Sequence, residues 1–127
     1  MSIPAADPHL VLRRVERQHA LIEHLITRTP RPTTARALAE GLGVAVRTVE
    51  RDLARLRAAG VPITVRSGPG GGYRLDTRRH LPCVSLTHGE LAALVASLVA
   101  LGPTASATAL SAMTKLLDAI KLPAVNS

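Results

Sequence analysis

Aromatic residues are almost missing from this 127-residue chain, which has one Tyr, no Trp and no Phe. A core without rings has to be filled by Leu, Val, Ile and Ala, which suits packed helices better than a β-sandwich. Cysteine occurs once, at Cys83, so no disulfide can form within the chain. No N-terminal stretch has the basic and apolar regions of a signal peptide. The longest apolar run, Leu91–Leu101, is interrupted by Ser97 and is too short to cross a bilayer. These absences point away from membranes and towards a cytoplasmic protein. Enzyme signatures are missing too: there are no paired carboxylates, no Ser-His-Asp or Cys-His arrangement and no nucleotide-binding loop, so an enzyme is not expected.

Apolar residues make up 46% of the chain, enough for one modest domain or a small domain with an accessory element. The formal net charge of +7 is unevenly placed. Residues 1–80 hold all 14 Arg against seven acidic residues, whereas residues 81–127 hold two Lys against two acidic residues. A basic front followed by a neutral, apolar rear suggests a polyanion-binding head with an assembly or sensing tail.

Residues 1–9, with two prolines, read as a flexible N-terminus. A helix is expected from Leu10 to Thr27, with Val11, Val15, Ile22 and Ile26 on one stripe and Leu21 and Leu25 widening it. Pro30 and Pro32 stop it. Thr33 or Thr34 caps a short second helix that Gly41 and Gly43 break. A third helix runs from Val46 to Ala59, with Val46, Val49, Leu53 and Leu56 as its apolar stripe. Ile63–Arg66 and Tyr73–Leu75 flank the turn SGPGGG and read as a β-hairpin. Residues 77–85 form a linker. Leu86, Thr87, Glu90 and Leu91 then carry a capping box and a hydrophobic staple, which start a fourth helix. A fifth covers about Ser106–Leu122. The expected fold is mainly α with a small β-hairpin: a winged helix-turn-helix over residues 10–76, followed by two C-terminal helices within 86–127.

The functional signal lies in Ala35–Leu56. Ala39, Gly43 and Val49 have the spacing of a helix-turn-helix, in which a small residue lets the helices approach and a glycine makes the turn. On the third helix Arg47, Arg51 and Arg55 recur every four residues and line one side, with Thr48 beside them. A helix of that kind fits the major groove of double-stranded DNA. Arg47, Thr48 and Arg51 are the expected base-edge contacts and Arg55 a phosphate contact. Asp52 is expected to pair inward with an Arg of the first or second helix, for example Arg14 or Arg36, and Glu50 to orient Arg47 in preference to reading a cytosine amino group. In the hairpin, Arg66 and Arg74 flank a glycine-rich tip that can approach the backbone or minor groove, while Tyr73 packs under it.

The pieces LAEGLGV, RTVERDL, AAGVPI and GGYRL, within Thr33–Leu75, resemble the winged helix-turn-helix of DeoR-like and WYL-domain bacterial regulators. With the first helix, the resemblance covers residues 10–76. The stretch LPCVSLTHGELAALVASLVALG resembles the helices that follow the wing in WYL-domain regulators. The resemblance implies a sequence-specific transcriptional regulator. An effector-binding WYL domain is not expected here, and neither is a small-molecule effector. The two tail helices are expected to form a homodimer through residues 86–127, with Leu91, Leu94, Leu98, Leu110, Met113 and Leu117 as candidates. Two alternatives stand beside this reading. In one, the tail recruits another protein and DNA binding is secondary. In the other, His80, Cys83 and His88, spaced H-x2-C-x4-H, make the chain a metal-responsive regulator. The favoured reading has neither metal nor cofactor.

Overall fold

The computed structural model describes residues 8–102 and 106–123. The flexible stretch expected at residues 1–9 falls mostly outside the described residues. From residue 8 the chain is already helical. Among the described residues five helices and one antiparallel hairpin follow in the order α1 (Pro8–Arg28), α2 (Ala35–Leu42), α3 (Val46–Ala58), β1 (Ile63–Arg66), β2 (Gly72–Leu75), α4 (His88–Leu101) and α5 (Ala107–Ile120). The architecture is the expected one, mainly helical with a small hairpin. The chain divides into two compact units, residues 1–81 and 82–127.

In the first unit, each boundary has a local cause. Thr34 caps α2 by accepting a hydrogen bond from the Ala37 N–H on its Oγ1 at 3.1 Å. Gly43 ends α2 in the left-handed conformation, with φ 67°. Its N–H donates to the Glu40 carbonyl and that of Val44 to the Ala39 carbonyl, a closure that disfavours any side chain at Gly43. α3 ends when the Gly60 and Val61 N–H groups fold back to the Arg57 and Leu56 carbonyls, both at 3.0 Å. Arg57 then donates from Nε to the Ile63 carbonyl at 3.2 Å, which ties the helix end to the first strand.

The hairpin pairs Ile63 with Leu75, Thr64 with Arg74, Val65 with Tyr73 and Arg66 with Gly72. Beside β2 lies an isolated bridge that the sequence pattern did not reveal. Thr33 exchanges two backbone hydrogen bonds with Tyr73, at 2.7 and 2.9 Å. A single residue between α1 and α2 therefore acts as a third strand. Gly72 lies so close to it that a β-carbon would sit 2.4 Å from the Thr33 carbonyl oxygen.

The core of this unit is aliphatic: Leu21, Leu25, Leu38, Ala39, Val49, Leu53, Leu56, Ile63 and Leu75 are buried. The expected face of α1 is corrected here. Leu21 and Leu25 are its fully buried residues, whereas Val11 and Ile26 are exposed and Ile22 packs at the edge. With apolar residues on two adjoining stripes, periodicity alone did not select the one facing α3. Val46, expected in the apolar stripe of α3, is also exposed.

In the second unit, α4 begins with a complete capping box. Thr87 Oγ1 accepts from the Glu90 N–H at 3.1 Å, and Glu90 accepts from the Thr87 N–H at 2.9 Å. Hydrogen bonds to the ionised carboxylate hold the Glu90 pKa below its ordinary value. Ser106 caps α5 by accepting from the Ala109 N–H. The two helices pack against each other. Only Met113 is buried among their described residues, and Leu91, Leu98 and Leu117 are half-buried. Leu94, Val99, Leu110, Ile120 and Leu122 stand exposed. Of the six tail residues expected at a dimer surface, only Leu94 and Leu110 are thus freely exposed. No described helix is long and apolar enough to cross a membrane.

Candidate nucleic-acid interface

α3 sets the geometry of the site. At about 100° per residue, its buried residues Val49, Asp52, Leu53 and Leu56 occupy one side. Arg47 and Arg51 are exposed away from that side, with Arg55 exposed and Thr48 half-buried on the flank. Among the described residues Arg47 and Arg51 have no ion pair and no side-chain hydrogen bond. The pairing of Glu50 with Arg47 is not formed; the Glu50 carboxylate is exposed and without a partner among the described residues. Ala45 precedes α3 and offers no side-chain cap, so no side chain covers the N-terminal N–H groups of this helix.

The partner of Asp52 is an arginine of α1, as expected, but it is Arg17 and neither of the two examples. Its carboxylate is fully buried and takes a side-on pair of hydrogen bonds from Arg17: Nε to Oδ2, and Nη2 to Oδ1 at 3.2 Å. Gln18 Nε2 lies 3.4 Å from Oδ1 and Arg55 Nη1 3.5 Å from it. Arg14 and Arg36 take no part. The cause is again the orientation of α1. Arg17, Leu21 and Leu25 are spaced four apart, so the residue one turn before the buried leucines meets α3. A buried carboxylate without a partner is costly, and this one is saturated. The hydrogen bond to Asp52 raises the Arg17 pKa, which keeps the guanidinium charged throughout the accessible range.

The hairpin adds a second basic surface. Leu75 and Ile63 face the core, so the pairs Thr64–Arg74 and Arg66–Gly72 face outward. Arg66 and Arg74 thus share the outer face. Arg66 has no partner among the described residues, whereas Arg74 Nε donates to Asp76 Oδ1 at 3.1 Å. Tyr73 points the other way, half-buried against the core.

No three His, Cys, Asp or Glu residues among those described come close enough to hold a metal. His80, Cys83 and His88 are each exposed. Periodicity gave no sign of the roles of Thr33, Gln18 and Arg57; for Arg17, its spacing from Leu21 and Leu25 was the available clue.

Residues 17–74 match a family model described as an HTH domain. The fold of this segment is that of a winged helix-turn-helix. In its terms α2 and α3 are the two helices and Gly43 lies in the turn between them. Among curated proteins, the chain is 34% identical over 85 residues to a Bacillus subtilis (strain 168) protein named "Uncharacterized HTH-type transcriptional regulator YobV". The match takes in 67% of this chain and spans 26% of the length of that relative. No solved structure matches the chain at a significant level.

Proposed function

We propose that the protein is a transcriptional regulator that binds double-stranded DNA in a sequence-specific manner, of the DeoR-like or WYL-related kind. The observation that carries the reading is the unpaired Arg47–Arg51 face on the second helix of a helix-turn-helix domain. Arginines with no partner in the protein have all their donors free for guanine O6 and N7. In this reading α3 enters the major groove, Arg47, Thr48 and Arg51 meet base edges, and Arg55 meets phosphate. The hairpin is the wing, and Arg66 lies on the backbone or in the minor groove. Arg74 joins it once phosphate displaces Asp76. The name of the Bacillus subtilis relative is in keeping with regulation of transcription.

The helical tail, residues 86–127, acts as a homodimerisation element, with Leu94 and Leu110 at its exposed surface. Two copies bring two α3 helices to two half-sites, which raises affinity and selects spacing. The protein works in the cytoplasm, where its DNA is.

Binding to a random duplex, and to the DNA upstream of its own gene, across a salt series tests this. Tight binding that falls steeply with salt and favours the upstream DNA is expected. Failure to bind either duplex at low salt would overturn the reading.

A further inference from the structure

Asp52 carries one negative charge, yet two guanidinium groups converge on it. Arg17 comes from α1 and reaches both carboxylate oxygens, and Arg55 comes from α3 and reaches Oδ1 at 3.5 Å. Two cations on one carboxylate leave a positive charge in excess. The carboxylate is sealed from water, but the two Arg side chains are 22% and 49% exposed. Nη1 of Arg17, and Nε and Nη2 of Arg55, have no partner among the described residues. Like charges held side by side, with donors still free at the surface, are relieved by an external anion. Planar guanidiniums match phosphate oxygens better than any other side chain does.

The position of the pair narrows the anion. Arg55 is on the flank of α3 that also holds Thr48, two turns nearer its N-terminus. Arg17 lines a surface depression with Arg13, Glu16, Leu42 and Val44; Leu42 ends α2 and Val44 lies in the turn that leads into α3. The pair therefore stands beside the helix that enters the groove, where a strand of the duplex would pass.

We propose that Arg17 and Arg55, oriented by Asp52, form a two-guanidinium fork that grips one phosphate of the DNA backbone beside the groove occupied by α3. This rests on the DNA-binding reading above. Asp52 is a positioning residue, since it is buried and acts only through the two arginines. The fork joins α1 to α3, so the contact that binds phosphate also fixes the angle at which α3 leaves the body of the domain.

The test uses the full chain, a random-sequence duplex and three variants: Asp52→Asn, Arg17→Lys and Arg55→Lys. Each is melted first, and binding is measured only where the variant is folded. The two Lys variants keep the charge and remove the planar fork. Each is expected to bind about three- to tenfold more weakly. Asp52→Asn removes a negative charge, which by general electrostatics would strengthen binding to a polyanion. With the fork unheld, the opposite is expected: weaker binding, with a salt slope shallower by about 0.9 because one phosphate is no longer gripped. Folded Asp52→Asn that binds as tightly as the parent or tighter, with its slope unchanged, would overturn the proposal. So would Lys variants that both match the parent, and these decide alone if Asp52→Asn does not fold. A parent chain that binds no duplex removes the DNA-binding reading itself, an outcome distinct from parent binding with indifferent variants.

Discussion

Replacing Gly72 with Ala puts a methyl group where the backbone leaves no room. Its β-carbon would lie 2.4 Å from the Thr33 carbonyl oxygen and 2.9 Å from the carbonyl carbon, both rigid backbone atoms. Gly72 also has φ 141°, where an L-residue is strained by about 1–3 kcal/mol. Relief of the clash requires opening of the Thr33–Tyr73 bridge, whose two hydrogen bonds contribute about 0.5–1.5 kcal/mol each. The combined cost is about 2–6 kcal/mol, a large share of the roughly 5–15 kcal/mol that holds a small domain together. Denaturant unfolding followed by helical circular dichroism measures it. Gly41→Ala is the matched control, because Gly41 lies within α2 with nothing within 4 Å of an added β-carbon. That variant is expected to be more stable than the parent by about 0.5–1 kcal/mol. If Gly72→Ala unfolded within about 0.5 kcal/mol of the parent, below the smallest of the terms above, the reasoning would be refuted and the bridge would not be a fixed part of the fold.

Arg47→Ala is expected to lose about 1–3 kcal/mol of discrimination at one base position while other positions keep theirs, as read by selection from a randomised duplex library. Arg55→Ala should weaken all sequences similarly and flatten the salt dependence, which fluorescence anisotropy across a salt series checks. Thr87→Ala removes the cap of α4 and should destabilise that helix by about 1 kcal/mol. The pH dependence of the same cap has a definite sign. The folded-state pKa of Glu90 lies below its ordinary 4.5, so its contribution is complete above that pH and is lost as pH falls through the lowered value. Helical signal at 222 nm across an acid titration of parent and Glu90→Gln, at fixed ionic strength, checks this. Finally, the double variant Leu94→Glu and Leu110→Glu should shift the chain towards monomer in sedimentation equilibrium while leaving its helix content intact, because both side chains are exposed.

The sequence was most informative where several local rules agreed. Thr87 and Glu90 with flanking leucines announced the start of α4, and Ala39, Gly43 and Val49 announced the helix-turn-helix, because caps and turns depend on near neighbours. Legibility ended where the choice was made across the fold. α1 has apolar residues on two adjoining stripes, and only packing against α3 selects Leu21 and Leu25 over Val11 and Ile26. Packing across the fold also decides that Asp52 meets Arg17, one turn before Leu21, and not Arg14. The Thr33 bridge is one residue long and has no period to detect. In α4, nearly every position is apolar, so the sequence could not separate Leu94, which is exposed, from Leu98, which is half-buried.

The scarcity of rings makes Tyr73 a spectroscopic reporter supplied by the fold itself. It is the sole Phe, Trp or Tyr side chain in the protein, and it sits where the second wing strand meets both Val65 and Thr33. Its ultraviolet emission therefore describes one place, the root of the wing, with no other fluorophore to subtract. A titration with duplex DNA can watch that root in the unlabelled protein. The same scarcity means that absorbance near 280 nm comes from this one weak chromophore, so protein concentration is better taken from the peptide bond.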